Sequence, residues 1–285
     1  LHVIRRRVIF VDLALAQIAA LGTTIAFLFG INPHSTGAYI FSLLFTFVGA
    51  AVFSLSRVRD DRVPQEAVIG LVYALAAALG ILIVYGAPHG AEHIQEVMTG
   101  SILWVKAPTI AKAAAVYALV GLFHFVFRKR FLQISEDPEA AYAAGVKVRL
   151  WDFLFYISFG LVITHSVQTA GVLLVFVFLV VPAIIAVMLT ERLGGQLLVG
   201  WGVGTLVSVV GLSISYYGDL PSGPAVVVTY GGTLLGVALL VYLLRAKTRA
   251  RALGRVLFGV AVTGALALGF TKLGQALAED PGLSG

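Results

Sequence analysis

The chain has 285 residues, of which 59% are hydrophobic and only 12% are charged, and its mean hydropathy is +0.97. Soluble globular proteins carry about 25% charged residues, so this composition excludes a water-soluble globular chain and a disordered one. The sequence contains no cysteine, which excludes a disulfide scaffold, a thiolate metal site and an iron–sulfur cluster.

Apolar stretches of about 20 residues follow one another along the chain, each long enough to cross a ~30 Å hydrocarbon core as a helix. Residues 172–181 are apolar at every position, unlike the alternating strands of a membrane β-barrel. The sequence therefore predicts an all-α, polytopic transmembrane helical bundle in a single domain, residues 1–285. In chain order we expect nine helices, near residues 8–29, 36–56, 66–86, 109–127, 151–168, 171–189, 197–217, 224–244 and 254–277.

The basic residues predict how these helices are oriented. If every predicted helix crosses once, all but three of the 20 Lys and Arg residues lie on one side, the exceptions being Lys106, Lys112 and Lys272. Basic loops remain in the cytoplasm, so we expect the first helix to run outward and the loop at 131–150 to be cytoplasmic. This asymmetry explains the net charge of +6 without a nucleic-acid partner.

Few polar side chains lie at membrane depth, where an ionisable group costs ~2.5–3.5 kcal/mol at mid-helix. Asp12 lies in the inner part of the first predicted helix, Gln17 near its midplane, and His165 in the outer half of the fifth. We interpret these three residues as candidates for a transport path. The alternative for Asp12 and Gln17 is a hydrogen bond between helices that only stabilises packing, and for His165 it is packing or surface solvation.

A polar segment follows the third predicted helix. In a helix its residues His89, Glu92, His93 and Glu96 share one face at positions i, i+3, i+4 and i+7. Imidazole and carboxylate groups on one face could hold a Zn²⁺-like or Mn²⁺-like cation. The alternative is a polar helix face at the membrane surface. Of the other histidines, His34 is interpreted as part of a turn and His124 as an interfacial residue.

The longest predicted cytoplasmic loop contains the signals of a short helix. Asp137 is a suitable N-cap, Pro138 fits the first helical position and Gly145 supplies a C-terminal stop. We predict a two-turn surface helix that docks to a partner, with a free-standing amphipathic turn as the alternative.

Neither nucleotide hydrolysis nor other catalysis has support in the sequence. No Gly-x-x-x-x-Gly-Lys-Ser/Thr motif occurs, and no nucleophile, base and orienting group can be assembled. We therefore expect a chain that is not an enzyme and has no nucleotide-binding site of its own.

Five stretches of the sequence carry a family resemblance. Residues 66–73 read Glu-Ala-Val-Ile-Gly-Leu-Val-Tyr, and residues 99–103 contain a Gly-Ser-Ile-Leu turn. Residues 137–146 resemble a loop that meets an ATPase, 171–186 an apolar core motif, and 211–223 an outer hairpin. In this order they resemble the ABC-3 family, the permease subunits of bacterial zinc, manganese and iron ABC importers. The resemblance covers residues 1 to about 244.

The resemblance implies a multi-pass permease of the bacterial inner (plasma) membrane that carries a divalent metal ion, Zn, Mn or Fe, by alternating access. Its implied partners are a cytoplasmic ABC ATPase subunit that binds the ATP, a periplasmic or lipid-anchored metal-binding protein, a second permease copy and the lipid membrane. No covalently bound cofactor is implied. The implied residues of ATPase coupling are Asp137, Glu139, Ala140 and Gly145.

The sequence departs from the family pattern in three places. Family members carry a histidine five residues before a glycine in the first of these helices, whereas Gln17 stands five residues before Gly22 here, and Asp12 is one residue out of register. The family has a further helix ahead of the arginine pair, so we expect that first helix to be missing from this sequence. The helix near 254–277 resembles an extension.

Two other functional classes stay open at the level of the sequence. One is an ABC permease for a chelated metal, siderophore or corrinoid, which would have a wide path without cation ligands. The other is an ATP-independent membrane channel or scaffold, which would copurify without an ATPase.

Overall fold

The computed structural model describes residues 8, 10–56, 64–100 and 102–246, and then residues 248, 253–256, 258, 262 and 268–271. Eight of its helices are long and apolar enough to cross a membrane. In chain order the helices are α1 (Val11–Leu28), α2 (Thr36–Leu55), α3 (Gln65–Val84), α4 (Gly90–Thr99), α5 (Ala107–Val126), α6 (Arg128–Glu136), α7 (Pro138–Ala143), α8 (Val148–Ala170), α9 (Val172–Leu189), α10 (Leu193–Gly218) and α11 (Ser222–Arg245).

This architecture confirms the prediction of an all-α, polytopic bundle, because the described residues form helices and no strand. Eight of the nine predicted spans correspond to α1, α2, α3, α5, α8, α9, α10 and α11. The predicted span at 254–277 lies largely outside the described residues. The chain divides into two compact units, Leu1–Thr233 and Leu234–Gly285, and the contacts reported below all lie within the first.

Two spans begin three or four residues earlier than the hydropathy pattern predicts. Helix α8 starts at Val148 rather than 151, and α10 starts at Leu193 rather than 197. The added residues include Arg149 and Gln196, which lower the hydropathy of the window without interrupting the helix. Gln196 donates from its Nε2 to the Thr190 carbonyl at 2.9 Å, which ties the start of α10 to the end of α9.

Helix α1 is the centre of the bundle and packs against α2, α3, α8 and α9. Its alanines and Gly22 let neighbouring backbones approach closely, as small residues do in membrane helices. A Cβ atom on Gly22 would lie 2.8 Å from the Phe41 carbonyl oxygen of α2. Across the same contact, Ser42 Oγ donates to the Ala19 carbonyl at 2.6 Å.

The α2–α8 contact relies on the same combination of a small residue and hydroxyl groups. The hydroxyls of Thr46 and Thr164 lie 2.8 Å apart, and both residues are fully buried. A Cβ atom on Gly160 would collide with the Thr46 methyl group. Because hydroxyls can hydrogen-bond across helices without charge, this pair stabilises the contact at little desolvation cost.

The loops gather at two ends of the bundle. One end, here called the basic end, carries α6, α7 and the starts of α3 and α8. There Ser54 Oγ donates to the Arg149 carbonyl at 2.7 Å, and Gln65 Nε2 donates to the Phe53 carbonyl at 3.0 Å and to the Tyr156 hydroxyl at 3.1 Å. These bonds join α2, α3 and α8 at that end.

The opposite end contains a junction of three glycines, Gly100, Gly171 and Gly223. Gly100 and Gly171 have φ values of +62° and +79° with extended ψ values, a backbone region that is essentially restricted to glycine. A Cβ atom on Gly171 would lie 2.7 Å from the Met98 carbonyl oxygen, and one on Gly223 would collide with the Thr99 carbonyl oxygen. The end of α4, the α8–α9 turn and the start of α11 therefore meet backbone to backbone.

Candidate functional site

At the basic end, the short helix α7 has the caps that the sequence predicts. Asp137 Oδ1 accepts a hydrogen bond from the Ala140 backbone N–H at 2.9 Å, and Pro138 is the first helical residue. At the other end Gly145 has φ +73°, and the Val146 N–H donates to the Ala141 carbonyl at 3.0 Å, which is the Schellman arrangement. The prediction of a two-turn surface helix is confirmed.

Helix α7 has one buried side and one exposed side. Ala141 packs in a fully buried cluster with Ile134 of α6 and Val148 of α8. Glu139, Ala140 and Gly145 are exposed, so the opposite side presents small apolar side chains and one carboxylate.

Helix α6 connects this surface to the membrane-spanning helices through aromatic packing. Phe131 is fully buried and stacks on His124 of α5 with ring centroids 4.5 Å apart. It also packs edge to face on Trp151 of α8 at 5.5 Å. His124 Nε2 lies 2.9 Å from Ser158 Oγ, so this partly buried histidine joins α5 to α8 near the basic end. A displacement of α6 would therefore be transmitted to both helices.

Two of the three predicted path residues lie in the central helix α1. Asp12 is 1% exposed and Gln17 is 7% exposed, so both side chains are enclosed within the protomer. Asp12 Oδ1 accepts a hydrogen bond from the Leu13 N–H at 2.8 Å. Glu66 of α3 accepts from the Phe10 N–H at 3.0 Å, and its negative charge acts on Asp12. The structure thus places two carboxylates near the start of α1.

The four predicted metal ligands of the polar segment do not come together. His89 Nδ1 lies 2.9 Å from Glu92 Oε2, whereas Glu96 Oε1 lies 2.9 Å from Nε2 of His34. His93 points inward and stacks on Phe27, with ring centroids 4.4 Å apart. Among the described residues, no three His, Asp or Glu side chains are grouped closely enough to hold a metal ion.

The backbone conformation of His89 explains why the four predicted ligands do not share one helical face. His89 is the N-cap of α4 and adopts a left-handed conformation with φ +60°, so it lies outside the helix and does not share the helical face of the other three residues. Burial lowers the pKa of His93, and the opposing influence of the nearby Glu96 carboxylate is smaller. The lowered pKa favours the neutral form of the His93 ring, which stacks on Phe27.

The third predicted path residue, His165, lies between two tyrosines near the opposite end. Its ring packs edge to face against Tyr39 at 6.0 Å and against Tyr117 at 6.1 Å. His165 lines a cavity of about 440 Å³, together with His34, Lys106, Thr109, Gln168 and neighbouring residues. A second cavity of about 30 Å³ adjoins it through His34 and Gln168 and reaches Thr23 of α1.

Reasoning from sequence missed three residues of this region, His34, Lys106 and Gln168. The sequence pattern places His34 only in a turn, and the pairing of His34 with Glu96 joins positions 62 residues apart. No local spacing indicates such a pair. The charge count did single out Lys106 as one of few outer basic residues, but gave it no role.

Comparison with known proteins gives a consistent result. The sequence model of the ABC 3 transport family matches residues 1–241. A Listeria innocua protein named manganese transport system membrane protein MntC is 30% identical over 206 residues, which cover 68% of this chain and 71% of the relative. A Haemophilus influenzae protein named probable iron transport system membrane protein is 30% identical over 227 residues, 80% of this chain and 78% of the relative.

Among solved structures, PsaBC from Streptococcus pneumoniae in complex with Fab has a similar fold. The TM-score is 0.66 at 24% sequence identity, and the match covers 83% of each chain.

Proposed function

The chain belongs to the ABC 3 transport family, and on that basis we propose that it is the membrane-spanning permease subunit of an ATP-binding cassette importer for divalent metal ions. The observation that carries this proposal is the family match over residues 1–241. The names of two relatives, a manganese and a probable iron transport membrane protein, support a transition-metal cargo. Eight apolar helices support a multi-pass protein, for which we propose the bacterial inner (plasma) membrane.

In this proposal the chain supplies the path and a separate subunit supplies the energy. The basic end faces the cytoplasm, and an ABC ATPase docks on α7 through Glu139 and Ala140, with Asp137 and Gly145 holding the helix in shape. A periplasmic or lipid-anchored metal-binding protein delivers the ion at the opposite end, and a second copy of the chain completes the path. The chain itself binds no nucleotide and is not an enzyme.

The proposed transport cycle is alternating access. Nucleotide binding to the partner shifts the population between packed states that open toward opposite sides. Docking forces on α7 reach α5 and α8 through Phe131 and its aromatic neighbours. Because the central helix α1 packs against four other membrane-spanning helices, a shift of any of these neighbours changes the surroundings of Asp12 and Gln17.

The ion path in this proposal contains Asp12, Gln17 and His165. A divalent cation stabilises buried carboxylates that would otherwise repel each other. Near the basic end, Asp12 and Glu66 supply two such carboxylates. The pairs His89–Glu92 and His34–Glu96, with His93 beside them, are proposed as an outer relay. Each of its sites binds the ion only weakly before passing it on. Weak sites suit a relay because the ion must also leave.

The path assignment is tested by Mn²⁺ and Zn²⁺ uptake into liposomes that hold the permease, its ATPase and its binding protein. Asp12→Ala and Gln17→Ala should each lower the initial uptake rate about tenfold or more, since loss of even indirect metal contacts costs 10–100-fold. Gln196→Ala is a matched control, because this glutamine is also 7% exposed but lies in α10. Unchanged uptake in both α1 variants would remove these residues from the path.

A further inference from the structure

The 440 Å³ cavity at the end opposite α7 has a lining that differs from the rest of the bundle. Its polar groups are the Lys106 ammonium, the imidazoles of His34 and His165, the Gln168 amide and the hydroxyls of Thr109 and Thr169. Among the described residues, no carboxylate lines it. Glu96 lines only the small adjoining cavity, and its Oε1 already lies 2.9 Å from His34.

Two buried polar atoms in this lining have no partner. Gln168 Nε2 and His165 Nε2 are both inaccessible to solvent and make no hydrogen bond. A buried amide or imidazole nitrogen left unpaired costs about 1–3 kcal/mol, so native proteins retain such groups mainly where a function uses them. The amide nitrogen carries two donor hydrogens, and the imidazole Nε2 is a donor in the neutral tautomer that carries its proton there.

The distribution of positive charge indicates that the ligand of this cavity is anionic. Only Lys106, Lys112 and Lys272 lie on the predicted outer side, and the other basic residues lie on the predicted inner side. Lys106 lines the cavity, and the charge of Lys112 acts on His165. Of the three predicted outer lysines, one therefore lines a cavity without a carboxylate of its own and a second acts on its His165, which favours an anionic group there, so a metal ion that reaches His165 would arrive together with a carboxylate rather than bare.

We propose that this cavity binds a carboxylate group, held by the Lys106 ammonium and the Gln168 amide, with His165 as a third contact. This inference rests on the proposed function for its orientation, because the cavity must face outward to receive such a group. The carboxylate can come from a metal chelate such as citrate, or from an acidic side chain of the protein that delivers the metal. Either source brings cargo to the mouth of the small cavity that leads to Thr23 of α1.

Carboxylate binding in the larger cavity would change the access to α1, because it acts on His34. His34 lines both cavities, and so does Gln168. A carboxylate in the larger cavity competes with Glu96 for the His34 imidazole, and release of that pair widens the narrow passage beside Glu96 and Val97. The cavity then acts as a positioning site for the cargo.

The test is a titration of the purified permease in lipid nanodiscs, followed by calorimetry at constant ionic strength, with two probes. One probe is citrate, and the other is a capped Gly-Glu-Gly peptide with capped Gly-Gln-Gly as its neutral control. We expect at least one carboxylate probe to bind, and Lys106→Gln and Gln168→Leu each to weaken it about tenfold, the usual effect of losing one charge-assisted hydrogen bond. Lys272→Gln, which removes another predicted outer charge, should leave the affinity unchanged.

The outcomes distinguish a free chelate from an acidic side chain as the ligand. They also distinguish failure of this inference from failure of the proposed function. Binding of citrate alone identifies a free chelate, and binding of the Glu peptide alone or of both probes shows that the site accepts a side-chain carboxylate. Absence of binding by both probes, or equal affinity in the wild type and the Lys106→Gln variant, overturns the inference. Gln168→Leu should not lower the thermal stability, because the amide nitrogen it removes has no partner. Calorimetry needs no transport, so failed metal uptake counts against the proposed function alone.

Discussion

Replacing Gly171 by alanine is expected to lower the free energy of unfolding by about 3 kcal/mol or more and to leave little correctly folded protein in detergent. The backbone at this position has φ +79° and ψ 163°, where an alanine Cβ is strained before any contact is considered. The same Cβ would also lie 2.7 Å from the Met98 carbonyl oxygen. Backbone atoms of α4 cannot rotate away as a side chain can, so the α8–α9 turn must separate from α4.

The measurement is the thermal unfolding midpoint and the monodisperse fraction after size-exclusion chromatography. Gly70→Ala is the matched control, because Gly70 lies in α3 with no atom within 4 Å of an added Cβ. There alanine should be neutral or stabilising by about 0.5–1 kcal/mol, the usual helix preference over glycine. Equal stability of the two variants would show that the glycine junction is not a close backbone contact.

Reversal of charge on the exposed side of α7 is expected to have the largest effect on function. Glu139→Arg should lower ATP-driven metal uptake about tenfold or more while the partner continues to hydrolyse ATP, because like-charge or misplaced contacts at an interface cost several kcal/mol. Glu139 is exposed and lies in the first turn of α7, where a carboxylate also suits the helix dipole. The ratio of metal ions transported to ATP hydrolysed measures the effect.

Glu191→Arg provides the control for Glu139→Arg. Glu191 is also exposed and lies at the basic end, in the connection between α9 and α10, so the variant makes the same change of charge away from α7. If both variants retain the wild-type ratio of transport to hydrolysis, α7 does not couple the two activities. If both lose it equally, the general charge of the basic end decides coupling rather than the α7 surface.

The parts of this structure that the sequence predicts well depend on local physics. Eight spans follow from runs of apolar residues, and α7 follows from an N-cap, a proline and a glycine placed within nine residues. Each of these signals acts between neighbours in the chain. The geometry of Asp137, Pro138 and Gly145 could therefore be anticipated in detail.

The outer region was predicted less well because its contacts are long-range. A helical face of His89, Glu92, His93 and Glu96 assumes that the helix includes His89, but the left-handed backbone at that residue starts α4 one residue later. The partner of Glu96 is His34, which precedes it by 62 residues. Phe27 also determines the direction of His93, and this stacking has no counterpart in local spacing.

The sequence predicts the glycine junction only in part as well. Gly100 and Gly171 lie in motifs that resemble the ABC-3 family, but their role depends on a contact between residues far apart in the sequence. The positive φ values and the backbone contacts explain in physical terms why glycine occupies both positions. Sequence reasoning could identify the motifs without identifying the contact.

The measurement that tests the central claim most directly is the side of the membrane on which α7 lies. The chain contains no cysteine, so an Ala143→Cys variant carries one thiol, at an exposed position of α7. In intact cells a membrane-impermeant maleimide should leave this thiol unlabelled, and permeabilisation should make it react fully. Labelling in intact cells would place α7 outside, where no ATPase can dock, and would contradict the proposed mechanism.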